Sequence, residues 1–357
     1  MKIAIIGCGF IAATHAQALT GMNLPITVAV DANLRAAQAF AEKWNIPEHT
    51  DLLDRVLEKD IDVVHVCTPP TLHYEMVRRI IQAGKHVICE KPLCLNPAQA
   101  RDLARMANET GIVSAVNFNV RFHEACGRVK AAASSENFGR ICLIKGSYEQ
   151  EFHVLPADYM WRYQKELAGP MRATTEIGSH WIDLARYLTG LEILEVSATY
   201  GMFTPDRFVK DGIMYEEEQP GSTKIAVDSD DAVCATLKFS NGALGSLLLS
   251  EVTCGRNNYV SMEISGSKQS VSWNSEDPYR MCTASKFSGT TSSVNAFGGG
   301  FPETFASFFQ EVYRDILSGK RSDRPSYPTF EDGYQNAAVC QAIYESANNH
   351  SIWTEVK

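Results

Sequence analysis

The stretch IIGCGFIAATH, Ile5 to His15, decides the fold. Ile5 and Ile6 close a short apolar run that begins at Lys2. Gly7 and Gly9 follow at once, and from Phe10 the apolar residues take helical spacing. A strand that passes through paired glycines into a helix reads as the first turn of a βαβ unit. Gly7 permits the tight turn, Gly9 lets a diphosphate approach the backbone, and Ala12 lets helix and strand pack closely. The helix N-terminus then faces the phosphate charge. Such glycine spacing alone is a weak signal. It gains weight because the next apolar run, Ile26 to Asp31, ends in a carboxylate.

Working outward, short apolar runs alternate with helical patterns up to about residue 120. KIAIIG, ITVAVD, DVVHVCT, HVICE and VSAVNF are the strand-like runs. Between them LRAAQAFAEKW, HYEMVRRIIQAG and PAQARDLARMANETG carry apolar residues at helical spacing, with Gly84 and Gly111 as stops. This rhythm predicts parallel strands with helical crossovers, an α/β doubly wound sheet. After Arg121 the texture changes. A helix near 124–133 leads into long alternating runs that predict an α+β domain with an open, largely antiparallel sheet, with SNG (Ser240 to Gly242) as a hairpin turn. The expected domains are 1–122 and 123–357. Phe208 to Ser222 and Ala284 to Gly300 read as long loops, and two amphipathic helices close the chain.

A net charge of −9, with no Lys/Arg run longer than a doublet, argues against a nucleic-acid or anionic-membrane partner and leaves a small molecule. Ten cysteines without a CxxC pair suit reduced, mostly buried thiols, and no apolar stretch reaches the length of a membrane span. The expected location is the cytoplasm.

Asp31 at the tip of the second strand can accept both hydroxyls of an adenosine ribose and repels a 2′-phosphate, which favours NAD over NADP. Arg35 weakens that exclusion, and capping of the helix beginning near Leu34 is the other role open to Asp31. Phe10 and Ile11 share the glycine loop and join the cofactor set. In open α/β sheets ligands gather beyond the carboxyl ends of the strands, which adds Thr68, Pro69 and His73 after the third strand and Glu90 and Lys91 after the fourth. Adjacent charges at the end of an apolar strand need a solvated exit or a task. Beside NAD⁺ a lysine feels a like charge and partial desolvation, which fits it to trade protons with a hydroxyl. Further on, TTEIGSHWIDLARYL places Glu176, His180 and Asp183 on one helical face, so that an imidazole accepting a proton has its charge compensated. A satisfied core histidine is the alternative. No third ligand accompanies Glu176 and His180, so no metal is expected.

Together GCGFIAATH, TPPTLH, EKP and EIGSHWIDLARYLTG resemble the glucose–fructose oxidoreductase / inositol dehydrogenase family from end to end. The resemblance implies a Rossmann domain followed by an α+β domain whose sheet packs against another subunit, giving a homodimer or homotetramer. It implies Lys91 and His180 as the catalytic pair with Glu176 at the preceding acidic position. Asn119 and Arg121 would border the nicotinamide, and Trp161 and Arg162 would reach over cofactor and substrate. WRYQKELAG, GRNNY and VDSDDAV look most like the levoglucosan and related pyranose dehydrogenase branch. Two departures stand out. Glutamate replaces the family's usual aspartate at 176, and AGPMRATTE puts Met171 and Arg172 where small residues are usual, so that Arg172 becomes a candidate holder of an anionic substrate group. Three functions follow as expectations. The first is an NAD-dependent dehydrogenase of a ring hydroxyl in a sugar or cyclitol, with Lys91, Arg162, Arg172, His180 and Asp183 about the substrate. The second is an oxidoreductive glycosidase that oxidises C3 transiently, eliminates the aglycone and returns the hydride, acting on an anionic sugar such as a sulfoquinovoside. The third is a non-catalytic NAD-binding sensor.

Overall fold

The computed structural model describes residues 1–58, 60–295 and 300–357. The chain divides into two compact units, Met1–Phe122 with Gly299–Ala337 and His123–Gly298 with Ala338–Lys357.

In the first unit β1 (Ile3–Ile6), β2 (Ile26–Val30), β3 (Glu48–Thr50), β4 (Val63–Val66), β5 (His86–Cys89) and β6 (Ser114–Val116) are parallel and lie in the order β3-β2-β1-β4-β5-β6. Helices α1 (Phe10–Gly21), α2 (Leu34–Trp44), α3 (Leu53–Glu58), α4 (His73–Gln82) and α5 (Pro97–Thr110) connect them. This is the doubly wound order, whose direction of winding reverses between β1 and β4 and opens a crevice beyond their carboxyl ends. The apolar strands are buried on both faces, as crossover helices require. The short edge strand β3, in PEHT, has too little apolar pattern to be read from sequence.

The expected division treats everything after residue 122 as the second domain. Instead helix α9 (Phe301–Ser318) belongs to the first unit. It carries Phe305, Phe308, Phe309, Val312 and Tyr313 on one stripe, and these pack into a core with Ile3, Ile5, Ala12, Ala16 and Leu19. At roughly 1.5–3 kcal/mol per buried large side chain, that stripe anchors the return.

The second unit holds α6 (Glu124–Ala133), the short α7 (Lys165–Ala168), α8 (Ser179–Thr189) and the end of α10 (Phe330–Ala347). Among the described residues nine strands form its main sheet: β7 (Ile141–Glu149), β9 (Ile193–Gly201), β13 (Ala232–Phe239), β14 (Leu244–Ser250), β15 (Tyr259–Gly266), β16 (Gln269–Asn274), β17 (Arg280–Ser285), β18 (Gly289–Val294) and β19 (Thr354–Glu355). Their order is β18-β17-β16-β15-β7-β14-β13-β9-β19, and every pairing is antiparallel except the parallel β7 and β14. A smaller antiparallel sheet joins β8 (Ala157–Asp158), β10 (Asp206–Lys210), β11 (Ile213–Tyr215) and β12 (Thr223–Ala226).

Both expected long loops contain strands. Within 208–222, β10 and β11 form a hairpin whose turn, Asp211-Gly212, has both residues at positive φ, the conformation that the Asp-Gly pair favours. Within 284–300, β17 and β18 pair through a turn at Lys286–Ser288, and residues 296–299 of that stretch lie outside the described residues. All ten cysteines are free, but only Cys67, Cys89, Cys94, Cys126 and Cys340 are buried. Cys234 and Cys254 are exposed, so the expectation of mostly buried thiols is met by half of them.

Candidate active site

The glycine loop after β1 has the form its sequence predicts. Gly7 sits at φ +87°, its N–H donates to Val30 O at 2.7 Å, and a Cβ there would lie 2.6 Å from the Cys67 carbonyl oxygen. A Cβ on Gly9 would meet nothing within 4 Å. Gly9 is the N-cap of α1 and no side chain caps that end, so the first amides of the helix are open to an anion. Phe10 beside it is 87% exposed, and Ile11 is half-buried. These features fit the diphosphate of a dinucleotide. Gly7→Ala should therefore cost about 1–3 kcal/mol from the left-handed backbone alone. The clash with a main-chain carbonyl adds to it and shows as a lowered melting temperature, whereas Gly9→Ala should melt near wild type.

Asp31 does not cap α2. Asn33 does, accepting from the Arg35 N–H at 3.1 Å. Asp31 instead accepts from the Cys8 N–H through Oδ2 and from the Asn33 N–H through Oδ1, both at 2.9 Å, which ties the glycine loop to the tip of β2. The carboxylate stays half-buried, and Arg35 is exposed.

Beyond β4, Thr68 and Pro69 are half-buried. His73 was expected at the cofactor, yet it is fully buried, with Nδ1 2.9 Å from Pro92 O and Nε2 2.9 Å from Thr68 O. It clamps the turns after β4 and β5 together and takes a supporting place. Beyond β5, Glu90 is buried and Lys91 half-buried. Burial pushes the Glu90 carboxyl up, but His15, the Asn117 amide and the Lys91 charge outweigh it and hold the carboxyl below its ordinary range. Asn119 is buried and donates to Thr304 Oγ1 at 2.7 Å, and Arg121 lies 3.7 Å from Asp332.

In the second unit, Thr174–Gly178 forms a π-helical turn that runs into α8. The face drawn from Glu176 through His180 to Asp183 assumed one regular α-helix. The wider turn breaks that periodicity, and such turns recur at functional sites. Glu176 accepts from Arg162 Nε at 2.9 Å, and the Arg162 guanidinium lies over the Trp161 ring. His180 and Asp183 are buried, and the Tyr148 ring stands 6.2 Å from that of His180, its hydroxyl donating to Asn258 at 2.7 Å.

Arg172, expected to hold an anionic group, is 1% exposed and lies among carboxylates. It pairs with Asp231, has Nε 3.3 Å from Glu251, and donates to Tyr163 OH at 2.9 Å. Arg207 reaches the same Asp231 at 2.7 Å. Both guanidiniums also stack over Tyr163. Burial pushes Glu251 up to about 8 against the pull of Arg172. The Asp230 carboxylate accepts from the N–H of Arg172 at 2.6 Å and of Thr174 at 2.7 Å, anchoring the entry to the π turn. Arg172 thus belongs to a buried structural network. Sequence reasoning missed Asp230, Asp231 and Glu251 as its partners. VDSDDAV, two adjacent carboxylates entering a buried strand, was the available signal.

Residues 1–118 match the description "Oxidoreductase family, NAD-binding Rossmann fold", and residues 130–356 match that family's C-terminal alpha/beta domain. The chain belongs to the GFO/IDH/MocA oxidoreductase family. It is 31% identical to a levoglucosan dehydrogenase of Pseudarthrobacter phenanthrenivorans, over 100% of this chain and 98% of that protein. It is 28% identical to a myo-inositol 2-dehydrogenase of Thermotoga maritima, over 93% and 92%. A solved levoglucosan dehydrogenase in complex with NADH superposes with a TM-score of 0.90 at 30% identity, covering 100% of this chain and 99% of that one. The first unit of this family member is an NAD-binding Rossmann domain, and the family is one of NAD-dependent oxidoreductases that includes sugar and cyclitol dehydrogenases. Among the described residues no helix is long and apolar enough to cross a membrane.

Proposed function

We propose that this family member oxidises a ring hydroxyl of a pyranose, a pyranose derivative or a cyclitol, with Lys91 and His180 handling the hydroxyl proton. The observation that carries the reading is the position of Lys91, half-buried at the carboxyl end of β5 beside an ionised Glu90, in a Rossmann sheet whose glycine loop is shaped for a diphosphate. Gly7, Gly9, Phe10, Ile11 and Asp31 hold the dinucleotide, and Thr68, Pro69, Asn119 and Trp161 border it. Bound NAD⁺ supplies the hydride acceptor. Lys91 and His180 take the hydroxyl proton as the C–H bond breaks. Glu176, held by Arg162, keeps a negative charge at the base of the helix that carries His180. Asp183, buried on the same helix, and Arg162 complete the substrate side of this reading.

The glycosidase reading drew on the altered PMRATTE approach and on Arg172 as an anion holder, and the burial of Arg172 removes the second of these. Incubation with levoglucosan, free pyranoses, myo-inositol and aryl glycosides tests both readings. Stoichiometric NADH without aglycone supports the dehydrogenase, and aglycone without NADH refutes it.

We place the chain in the cytoplasm, where its free thiols stay reduced. We also propose a homodimer or homotetramer built on the main sheet of the second unit. Leu143 of β7 and Leu244 and Leu248 of β14 share one face by register and stand 40–51% exposed. Sedimentation should give twice or four times the 39.5 kDa chain mass, and a monomer would remove this assignment.

A further inference from the structure

The interior of the first unit holds a line of polar side chains that the proposed reaction does not use. His15 of α1 and His65 of β4 are both fully buried. His15 Nε2 lies 2.8 Å from Glu90 Oε1, His15 Nδ1 lies 2.9 Å from His65 Nδ1, and His65 Nε2 lies 2.8 Å from the Tyr313 hydroxyl of α9. Asn117 Nδ2 donates to the same Glu90 oxygen at 2.5 Å. The rings of Phe305 and Phe309 pack edge-on against His15 and wall the line off.

The chemistry of the donors orders the protons along this line. Glu90 is ionised, for the reasons given above, and a carboxylate only accepts, so His15 Nε2 carries a proton. The two Nδ1 atoms face each other, so one donates and one accepts; with the protonated Cys67 thiol beside His15 Nδ1 as well, the accepting atom is that of His15, and His65 Nδ1–H is the donor facing it. His65 Nε2 is left to accept from Tyr313, whose hydroxyl burial keeps protonated. Burial also holds the His65 imidazole well below its ordinary value, in the neutral form. The Cys67 thiol, kept protonated by burial, stands 3.6 Å from His15 Nδ1 as a second donor to it. Every bond in the line thus points from Tyr313 through His65 and His15 to Glu90.

We propose that His15 and His65 are positioning residues: locked as complementary tautomers, with His15 Nε2–H facing Glu90 and His65 Nδ1–H facing His15, they hold the Glu90 carboxylate oriented, so that Lys91 enters the site on a fixed backbone. The backbone link is direct, since the Lys91 N–H donates to Glu90 Oε2 at 3.2 Å. This rests on the assignment of Lys91 to proton handling. The titratable groups that face Glu90 are His15 of α1, His65 and Cys67 at the end of β4, His73 of α4, and Cys89 and Lys91 beside it. Burial keeps the two thiols protonated and favours the neutral form of His65 and His73. The ionisation that changes when His15 is lost is therefore that of Glu90.

Two measurements test the proposal. Ring-nitrogen NMR of the ¹⁵N-histidine-labelled protein without cofactor should show His15 as the Nε2–H tautomer and His65 as the Nδ1–H tautomer. A doubly protonated His15, or the reversed pair, overturns it. His15→Phe keeps the packing against Phe305 and Phe309 but has no donor for Glu90, whose burial is then less opposed. Its kcat should fall about 10- to 100-fold below wild type on the acid side of neutrality and recover as pH rises, with NAD affinity unchanged. His15→Gln, which can still donate, should restore most of the loss. A His15→Phe profile that superimposes on wild type, or a His15→Gln profile equal to that of His15→Phe, overturns the proposal. Lys91→Met separates the two levels. If it keeps full turnover, the Lys91 assignment fails, whereas the spectrum of the cofactor-free protein still decides the tautomers.

Discussion

Lys91→Met is expected to lower kcat for sugar oxidation about 10²–10⁴-fold while leaving the affinity for NAD unchanged. The size follows from what a positioned proton acceptor contributes to a transition state in which the hydroxyl proton is leaving. The split follows from geometry. In the proposed reading the Gly7 to Ile11 turn receives the diphosphate and Asp31 the ribose, and the geometry of neither depends on the Lys91 side chain. Methionine keeps the length and apolar stem of lysine, so the turn that His73 clamps should stand. His180→Gln should show a loss of the same order. If the two groups serve one proton, the double variant should be little worse than either single one. Stopped-flow reading of NADH formation checks both, and a wild-type rate in Lys91→Met would refute the assignment.

Arg172→Met is expected to destabilise the protein by about 3–5 kcal/mol, because it breaks the buried ion pair with Asp231 and removes the cation beside Glu251. Arg207 would still partner Asp231, but Glu251 would lose the guanidinium 3.3 Å away and Tyr163 would lose a donor. The pH dependence has a definite sign. Glu251 is raised in the folded protein, so folding favours its neutral form. Its contribution is full below the ordinary carboxylate value of about 4.3 and declines as pH rises to about 8. Without Arg172 that decline should run on to higher pH. For a domain of this size the loss corresponds to a fall in melting temperature of roughly 6–20 °C, read by circular dichroism. Were Arg172 instead a substrate-binding cation, the variant would melt like wild type and lose affinity for anionic sugars alone.

Local patterns made the first unit legible in sequence. The glycine turn and Asp31 are encoded within about 30 residues of one another, which is the span of a βαβ unit, and Lys91 is marked by the apolar strand that it directly follows. Interactions across long separations were not legible. His15, His65 and Tyr313 each read as ordinary residues of an apolar element, and only the fold brings together groups separated by 50 and 248 positions. The same holds for Arg172 and its carboxylates, 59 and 79 residues away, so that a buried structural cation looks in sequence like a site residue. Backbone irregularity hid the rest. A π-helical turn has no apolar period by which to recognise it, and the return of α9 to the first unit is visible only once its aromatic stripe finds a core. The Asp211-Gly212 hairpin, by contrast, carried a readable signal that the charge-rich EEEQ stretch beside it obscured.

The most direct test is a crystal structure of the protein with NADH and an oxidisable pyranose. The account predicts Lys91 Nζ and an imidazole nitrogen of His180 within about 2.6–3.2 Å of one and the same ring hydroxyl, on the carbon that faces the nicotinamide. A sugar bound against the nicotinamide with either side chain out of reach of that hydroxyl would contradict it.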